Sequence, residues 1–506
     1  MQKIAILSDI HLHDIYFGYG LFEAGSGDLG LRSLKDTLAS TRVFNESIAA
    51  LNNALDDIQK RGVKHVVLLG DLTDDGQAPN YRALKIILDK MSMRYQMQFY
   101  ALFGNHDCFG DQGKLLEKWL VKASNQQGIH VSGNQQAEGH VFYSEDMVCS
   151  TKAQALAYTK QWGLSESPSF IYHETPKKWL QASGKNIDDY SFLASDSSYL
   201  LEIEDDIWLI LLDGNIVRQD RTGRYILHAN AAWQKMLEYR PYIESWIADI
   251  VRRGKQQGKT VLAFSHYPMV GFPRHDGQGQ LAGGASWAKR MPALSYTMRL
   301  AKTGLCHHFS GHMHALGHAQ LENLHNYAMP SIVSFPAAYG LIEINDNNVA
   351  IDVVPLQNVN GFEIAFPLYE NERNSHFSGK DFAGDYQAFL LSSMRHLIEH
   401  KYMKRDWSHG LATIKDYLFS SMIYESSPIY QTVPPQLTLH QCLLDYYLLL
   451  FGSYLARPYI KAENLAFYHS LPIVLDKNDC LTKEPDFLLL AYFLKIMSEQ
   501  AKPFKA

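Results

Sequence analysis

The segment Lys3–Asp14 reads KIAILSDIHLHD, and its reading decides the fold. Lys3–Ser8 is a short aliphatic run that predicts a buried strand ending at polar residues. Asp9 and His11 stand two apart just beyond it. In extended backbone, residues i and i+2 point the same way, so both side chains can meet one ion. Outward from this segment the pattern recurs. Val63–Leu69 runs into Gly70-Asp71-Leu72-Thr73-Asp74-Asp75-Gly76, and Gln98–Phe103 into Gly104-Asn105-His106-Asp107. Thr260–Ser265 runs into His266, and Leu305–Ser310 into Gly311-His312-Met313-His314. Each predicted strand therefore ends in metal-ligating groups, at the C-terminal edge where open α/β sheets place their ligand sites.

Between these strands the spacing turns helical. Phe44, Ile48, Leu51, Leu55 and Ile58 recur at three and four, with Gly62 as a stop, and Tyr81, Leu84, Ile87, Leu88 and Met91 repeat the pattern. This β-α-β-α-β order predicts α/β layering. Tyr199–Glu204 and Ile207–Leu212 read as a hairpin, followed by one long helix near Asn230–Arg253. Tyr327–Val333, Tyr339–Asn345 and Val349–Val354 read as closing strands. Two sheets packed together with helices outside follow from this order. Residues 104–190 have weak periodicity and read as an insertion near the site. After about 360 helical spacing dominates, for example Phe382, Tyr386, Phe389, Leu390 and Met394, then Leu411, Ile414, Tyr417 and Leu418. The expected organisation is a catalytic domain over 1–360 and a helical domain over 361–506.

Composition excludes several classes. The 506 residues are 46% apolar, enough for a large core. Lys plus Arg number 47 against 53 for Asp plus Glu, a net charge of −6, which gives no basic stripe for nucleic acid. The N-terminus lacks the long apolar run of a signal peptide. The most apolar stretch, Leu437–Ala456, carries His440, Gln441 and Asp445 and falls short of a membrane span. Five scattered cysteines fit a reduced compartment, so a cytoplasmic location is expected.

The ligand types are Asp, His and Asn without Cys, a set that suits Mn, Fe, Zn, Co or Ni. A carboxylate that bridges two such ions holds them roughly 3.5–4 Å apart. The ordered set Asp-x-His, Gly-Asp, Gly-Asn-His-Asp, His, Gly-His-x-His resembles the calcineurin-like metallophosphoesterases over about residues 1–355. The resemblance implies a four-layer α-β-β-α sandwich, here with the helical C-terminal addition. It implies a dinuclear, divalent or mixed-valence centre. Asp9, His11 and His314 would bind one metal, Asn105, His266 and His312 the other, and Asp71 would bridge them. His106 would protonate the leaving group, steadied by Asp74 or, as a second candidate, Asp107. Two cations sharing a water would lower its pKa and supply hydroxide near neutral pH.

The departures bear on substrate. The protein Ser/Thr phosphatases of that superfamily continue the second motif as Asp-Arg-Gly, the Arg gripping a phosphate dianion. Here Asp74-Asp75-Gly76 stands instead, and Asp107 replaces their Glu. Both features are more similar to the phosphodiesterase branch, so a small phosphodiester such as a cyclic nucleotide is the expected substrate. A nuclease, a phosphomonoesterase and a non-catalytic scaffold are the alternatives. The acidic balance counts against the nuclease, and the complete ligand set against the scaffold. Arg218, Arg221 and Arg224 read as a solvated loop. His13, Arg274 and His275 are candidates to line the pocket, and His307-His308 reads as structural because strand alternation sends one inward. The helical tail is expected to be either a cap over the cleft or a homo-oligomer surface.

Overall fold

The computed structural model describes the chain except residues 1, 24, 168–169, 220–224, 231, 274–283, 346–347, 374–381, 383, 408–415, 424, 428, 472–484, 501 and 504–506. Twelve strands build its two main sheets. In chain order they are β1 (Gln2–Leu7), β2 (His65–Leu69), β3 (Gln98–Leu102), β4 (Tyr172–Glu174), β5 (Tyr199–Glu204), β6 (Ile207–Leu212), β7 (Thr260–Ser265), β8 (His307–Ser310), β9 (Gly317–Leu321), β10 (Leu324–Ala328), β11 (Ala338–Asn345) and β12 (Asn348–Pro355). The first sheet has the order β12-β11-β1-β2-β3, the second β4-β5-β6-β7-β8-β10-β9. β1, β2 and β3 run parallel, as do β6, β7, β8 and β10.

The central strands of each sheet are covered on both faces, which is why β2 and β6 are buried throughout, whereas the edge strand β12 alternates between buried and exposed residues. Ile4, Ile6, Val67 and Leu69 of the first sheet meet Leu209, Leu211, Leu262 and Phe264 of the second in one inter-sheet core. The alternate residues Ala5, Leu7, Val66 and Leu68 face the other way. There they pack under α1 (Ser47–Lys60) and α2 (Ala78–Tyr95), through Leu51, Leu55, Ile58, Leu84 and Leu88. Trp208 and Ile210 do the same against Ile243, Trp246 and Ile250 of α3 (Tyr242–Gln256). The expected α-β-β-α layering is what the chain adopts.

The long helix expected near Asn230–Arg253 is two helices, Ala232–Tyr239 and α3. Pro241 interrupts it, because a proline has no N–H to give and its ring clashes with the preceding turn. Arg240 at the break is buried and pairs with Asp196 and Asp213. The closing strand expected at Tyr327–Val333 is β10, which ends at Ala328. The region 104–190 contributes the strands Glu117–Lys122 and Gln127–Ser132 to a small four-stranded sheet, and the helix Lys152–Thr159.

Beyond residue 360 the described residues include the helices Tyr386–Leu397, α4 (Leu439–Gly452), Ala462–Ser470 and Pro485–Gln500. Their apolar side chains, Phe389, Leu449 and Phe467 among them, belong to the same buried cluster as Leu7 and Leu51. Gln387 ties them to the sheets by donating to the carbonyls of Ala337 and Leu356. Leu411 and Ile414 lie outside the described residues.

Candidate active site

The parallel strands deliver their loops to one edge. Asp9 N donates to Gly70 O at 3.2 Å and His11 N to Asp71 O at 2.8 Å, so the first two loops run side by side. Gly311 N donates to His266 O at 3.0 Å, which joins the loops of the second sheet. His312 N reaches Asp9 Oδ1 and Oδ2 at 3.2 and 3.1 Å across the two sheets.

Five of the residues expected to ligate, Asp9, His11, Asp71, His312 and His314, have left-handed backbone with φ between 45° and 68°. Such conformations cost side-chain-bearing residues free energy and persist where the surroundings over-determine them. Two motif glycines show the crowding directly. A Cβ on Gly104 would lie 2.1 Å from Asp71 Oδ1, and one on Gly311 would lie 2.2 Å from Ser8 Oγ. Only glycine lets the ligand side chains turn inward there.

Asp9, His11, Asp71 and His314 are buried and bring one ligand atom each within 4.8 Å of one another. His11 Nε2 lies 3.0 Å from His314 Nε2 and 3.6 Å from Asp71 Oδ2. His266 Nε2 lies 3.2 Å from the same Asp71 oxygen, and the His266 and His312 rings are 5.1 Å apart. Asp71 therefore stands between two groups of histidines, as a bridge would. Asn105 Oδ1, His266 Nε2 and His312 Nε2 are buried with no hydrogen-bond partner among the described residues. An orphaned buried polar atom costs about 1–3 kcal/mol. Asn105 and His312 border the cavity with Asp71, and His266 Nε2 lies 3.2 Å from Asp71 Oδ2, so the three lone pairs gather around one carboxylate as a cation site requires. His266 Nδ1 lies 3.0 Å from Leu69 O, which directs Nε2 toward Asp71. Burial disfavours its imidazolium, but the Asp71 charge and hydrogen bond outweigh it and raise the pKa to about 9, so a cation binding at Nε2 would displace a proton. Burial, joined by Arg42, holds His11 well below its ordinary value, and burial joined by His266 and Arg290 does so for His312. Both are thus neutral imidazoles, the form that binds metal.

His106 lies beside this centre. Its backbone N donates to Asp71 Oδ1 at 2.8 Å, and its Nδ1 lies 2.6 Å from Asp75 Oδ1. Burial and the Arg42 charge disfavour its imidazolium, but Asp71 and the Asp75 hydrogen bond outweigh them and raise its pKa. Burial also opposes ionisation of Asp75, and Lys118 and His106 overcome it, holding that carboxyl well below the usual range.

The expectation that Asp74 or Asp107 steadies His106 is corrected by this geometry. Asp74 turns the other way and is fully buried among Arg32, Arg42 and Lys118, at 3.2, 2.8 and 2.6 Å. Asp107 accepts from the backbone N–H groups of Leu72, Thr73 and Gly104, at 2.8, 3.2 and 2.7 Å. It clamps the second and third loops together. Burial and the Asp71 charge push its carboxyl up to about 7, against the Gly104 and Thr73 donors.

The remaining candidates divide. His13 is buried, its ring 3.2 Å from Gly30 O, and lines no part of the cavity. His308 is locked between Ser265 Oγ and Asn326 Oδ1 at 2.9 and 2.7 Å, a structural role. Arg218 donates to His228. Arg221, Arg224, Arg274 and His275 lie outside the described residues.

A cavity of about 160 Å³ opens on this centre. Asp71, Asn105, His106, His312 and His314 form its floor; Arg42, Arg290, Arg405, Trp287, Tyr402 and Phe451 line the rest. Sequence reasoning missed these arginines, since Arg405 is some 300 residues from the nearest early motif and nothing in its neighbourhood marks it. A larger cavity of about 760 Å³, lined by Leu34, Trp119 and Leu397, gathers no metal-ligating cluster among the described residues.

A family model described as calcineurin-like phosphoesterase matches residues 2–316. No curated protein matches the sequence. Solved structures similar to the chain include a dimetal phosphatase from Danio rerio, 12% identical with a TM-score of 0.37, over 70% of this chain and 96% of that one. Another is GAP50, the anchor in the inner membrane complex of Plasmodium, 11% identical with a TM-score of 0.30, over 75% and 98%. A third is the calcineurin-like phosphoesterase YfkN from Bacillus subtilis, 12% identical with a TM-score of 0.26, over 73% and 97%.

Proposed function

The chain belongs to the calcineurin-like phosphoesterase family, and from that premise we propose that it hydrolyses small phosphate esters at a two-metal centre. The observation that carries this reading is the convergence of five separated loops around Asp71, with three orphaned ligand atoms and a His106–Asp75 pair at the cavity beside it. Asp9, His11 and His314 would hold one cation, Asn105, His266 and His312 the other, with Asp71 between. Two divalent cations, when bound, lower the pKa of water and draw charge from phosphoryl oxygens. The chain's own residues do the rest. Asp75 accepts from His106 Nδ1, so Nε2 is the donor left for the departing oxygen. Arg42, 3.5 Å from that ring, adds positive charge at the same wall.

The substrate class has two readings. The diester reading rests on Asp75 standing where an arginine clamp would stand. The monoester reading is favoured by Arg42, Arg290 and Arg405, which bring guanidinium groups to the cavity from other parts of the chain. The residues beyond 360 act in both readings as a cap, since Tyr402, Arg405 and Phe451 line the cavity. Location in the cytoplasm goes with the reading; among the described residues no helix is long and apolar enough to cross a membrane.

The test is metal content followed by a panel assay. The protein reconstituted with Mn, Fe, Zn, Co or Ni is expected to bind two ions per chain. It is then assayed with p-nitrophenyl phosphate, bis-p-nitrophenyl phosphate and the 2′,3′- and 3′,5′-cyclic nucleotides. Absence of bound metal, or of hydrolysis with every ester, overturns the proposal. The stronger ester decides between the two readings.

A further inference from the structure

Three guanidinium groups line the cavity, and they are not equivalent. Arg42 donates to Asp74 Oδ1 at 2.8 Å and lies 3.9 Å from Asp75 Oδ1, so its charge is offset on the floor side. Arg405 makes a two-pronged pair with Asp406, Nε to Oδ1 at 2.6 Å and Nη2 to Oδ2 at 2.8 Å. Asp406 is itself held by Ser286 Oγ and Tyr447 OH, at 3.1 and 3.0 Å, so that pair is fixed. Arg290 is different: among the described residues its guanidinium has no hydrogen bond and no carboxylate partner.

The turn that carries Arg290 is nonetheless anchored. Trp287 donates from Nε1 to Phe272 O at 2.6 Å, packs edge-on to Phe451 at 5.6 Å, and accepts Arg290 N at its carbonyl at 3.0 Å. Phe451 in turn accepts Leu316 N at 2.8 Å, just past the His312–His314 loop. The wall bearing Arg290 is thus tied to the loop bearing two candidate ligands. Arg290 is exposed at the cavity's mouth with no carboxylate balancing it among the described residues, so its planar fork is open to an anion entering the cavity.

We infer that Arg290 binds a phosphate dianion in this site and selects phosphomonoesters over diesters. The inference rests on the monoester reading above. A dianion spreads two charges over three terminal oxygens, and the guanidinium fork takes two of them in parallel. A diester carries one charge and two terminal oxygens, so it gains less from a fork beside a cationic floor. The acid at position 75, where a clamp would otherwise stand, is then replaced from across the cavity.

The test uses the full chain and inorganic phosphate. Isothermal titration calorimetry of phosphate, with and without added Mn, is run on the parent protein and on Arg290→Met and Arg290→Lys. Loss of a bidentate charge-assisted pair is expected to weaken phosphate binding about tenfold to a hundredfold in Arg290→Met. Arg290→Lys, which keeps the charge without the fork, is expected to recover part of it. In parallel, the ratio of kcat/KM for p-nitrophenyl phosphate to that for bis-p-nitrophenyl phosphate is expected to fall at least about tenfold in Arg290→Met. Equal phosphate affinity in all three proteins, or an unchanged ratio, overturns the inference. If the parent hydrolyses neither ester with any metal, the proposed function fails, and the calorimetry still judges Arg290. If Arg290→Met does not fold, the comparison of the parent with Arg290→Lys decides the same question.

Discussion

Asp75 Oδ1 lies 2.6 Å from His106 Nδ1, while the neighbouring carboxylate of Asp74 points into a buried nest of three cations. Two adjacent aspartates therefore have separate tasks. Asp75 positions the ring of His106, which lines the cavity. Asp74 holds Arg32, Arg42 and Lys118 beneath it, and Lys118 reaches back to Asp75 Oδ2 at 2.8 Å.

Asp75→Asn is expected to lower kcat about ten- to a hundredfold. The loss should be largest with poor leaving groups, which need a proton most. Metal content and KM should change little, because Asp75 touches no candidate ligand oxygen. Metal analysis with a leaving-group series checks this. A uniform loss across leaving groups would show that Asp75 acts otherwise.

Asp74→Asn is expected to act on folding rather than chemistry. It leaves three cations around a neutral amide, and breaking a buried ion pair from one side costs about 3–5 kcal/mol. Urea unfolding followed by circular dichroism reads this cost. A midpoint like the parent's contradicts it.

Glu46 gives a pH dependence of stability away from the metal centre. It is buried beside Tyr369, whose hydroxyl donates to it at 3.0 Å, and burial raises its pKa to about 8. The folded protein then keeps a proton that the unfolded chain loses from about 4.5 upward. Below that value both states are protonated and the group contributes nothing. Between the two values stability falls as pH rises, by up to about 1.4 kcal/mol per pH unit from this group. Glu46→Gln should flatten that part of the stability curve. Parallel curves for parent and variant between pH 5 and about 8 would show that Glu46 is ionised in the fold.

A chain ending at residue 360 is expected not to fold alone. Tyr386 OH donates to Ile332 O at 3.0 Å, Gln387 caps two sheet carbonyls, and Phe451 O holds the loop beyond His314. Removing them exposes the apolar side chains that share one core with the later helices. Cooperative unfolding of the truncated chain, with a parent-like midpoint, would disprove this.

The sequence by itself determined the layering and the floor of the site. Runs such as Ile4–Leu7 and Ile207–Leu212 are apolar on both alternations, so they had to be strands covered on two faces. Each ligand group follows its strand directly, so the local chain order already put Asp9, Asp71, Asn105, His266 and His312 at one sheet edge. Only the tertiary structure decided which carboxylate meets His106. Asp74 and Asp75 are adjacent and chemically alike, and the turn between the second motif and its helix sets which one faces the ring. Only the tertiary structure brought Arg42, Arg290 and Arg405 to the cavity. Side chains that converge from distant segments leave no periodicity or spacing to read, because their partnership arises from packing rather than from local chain geometry. The break at Pro241 lies between these cases: the proline was visible, but the buried Arg240 that the break positions was not.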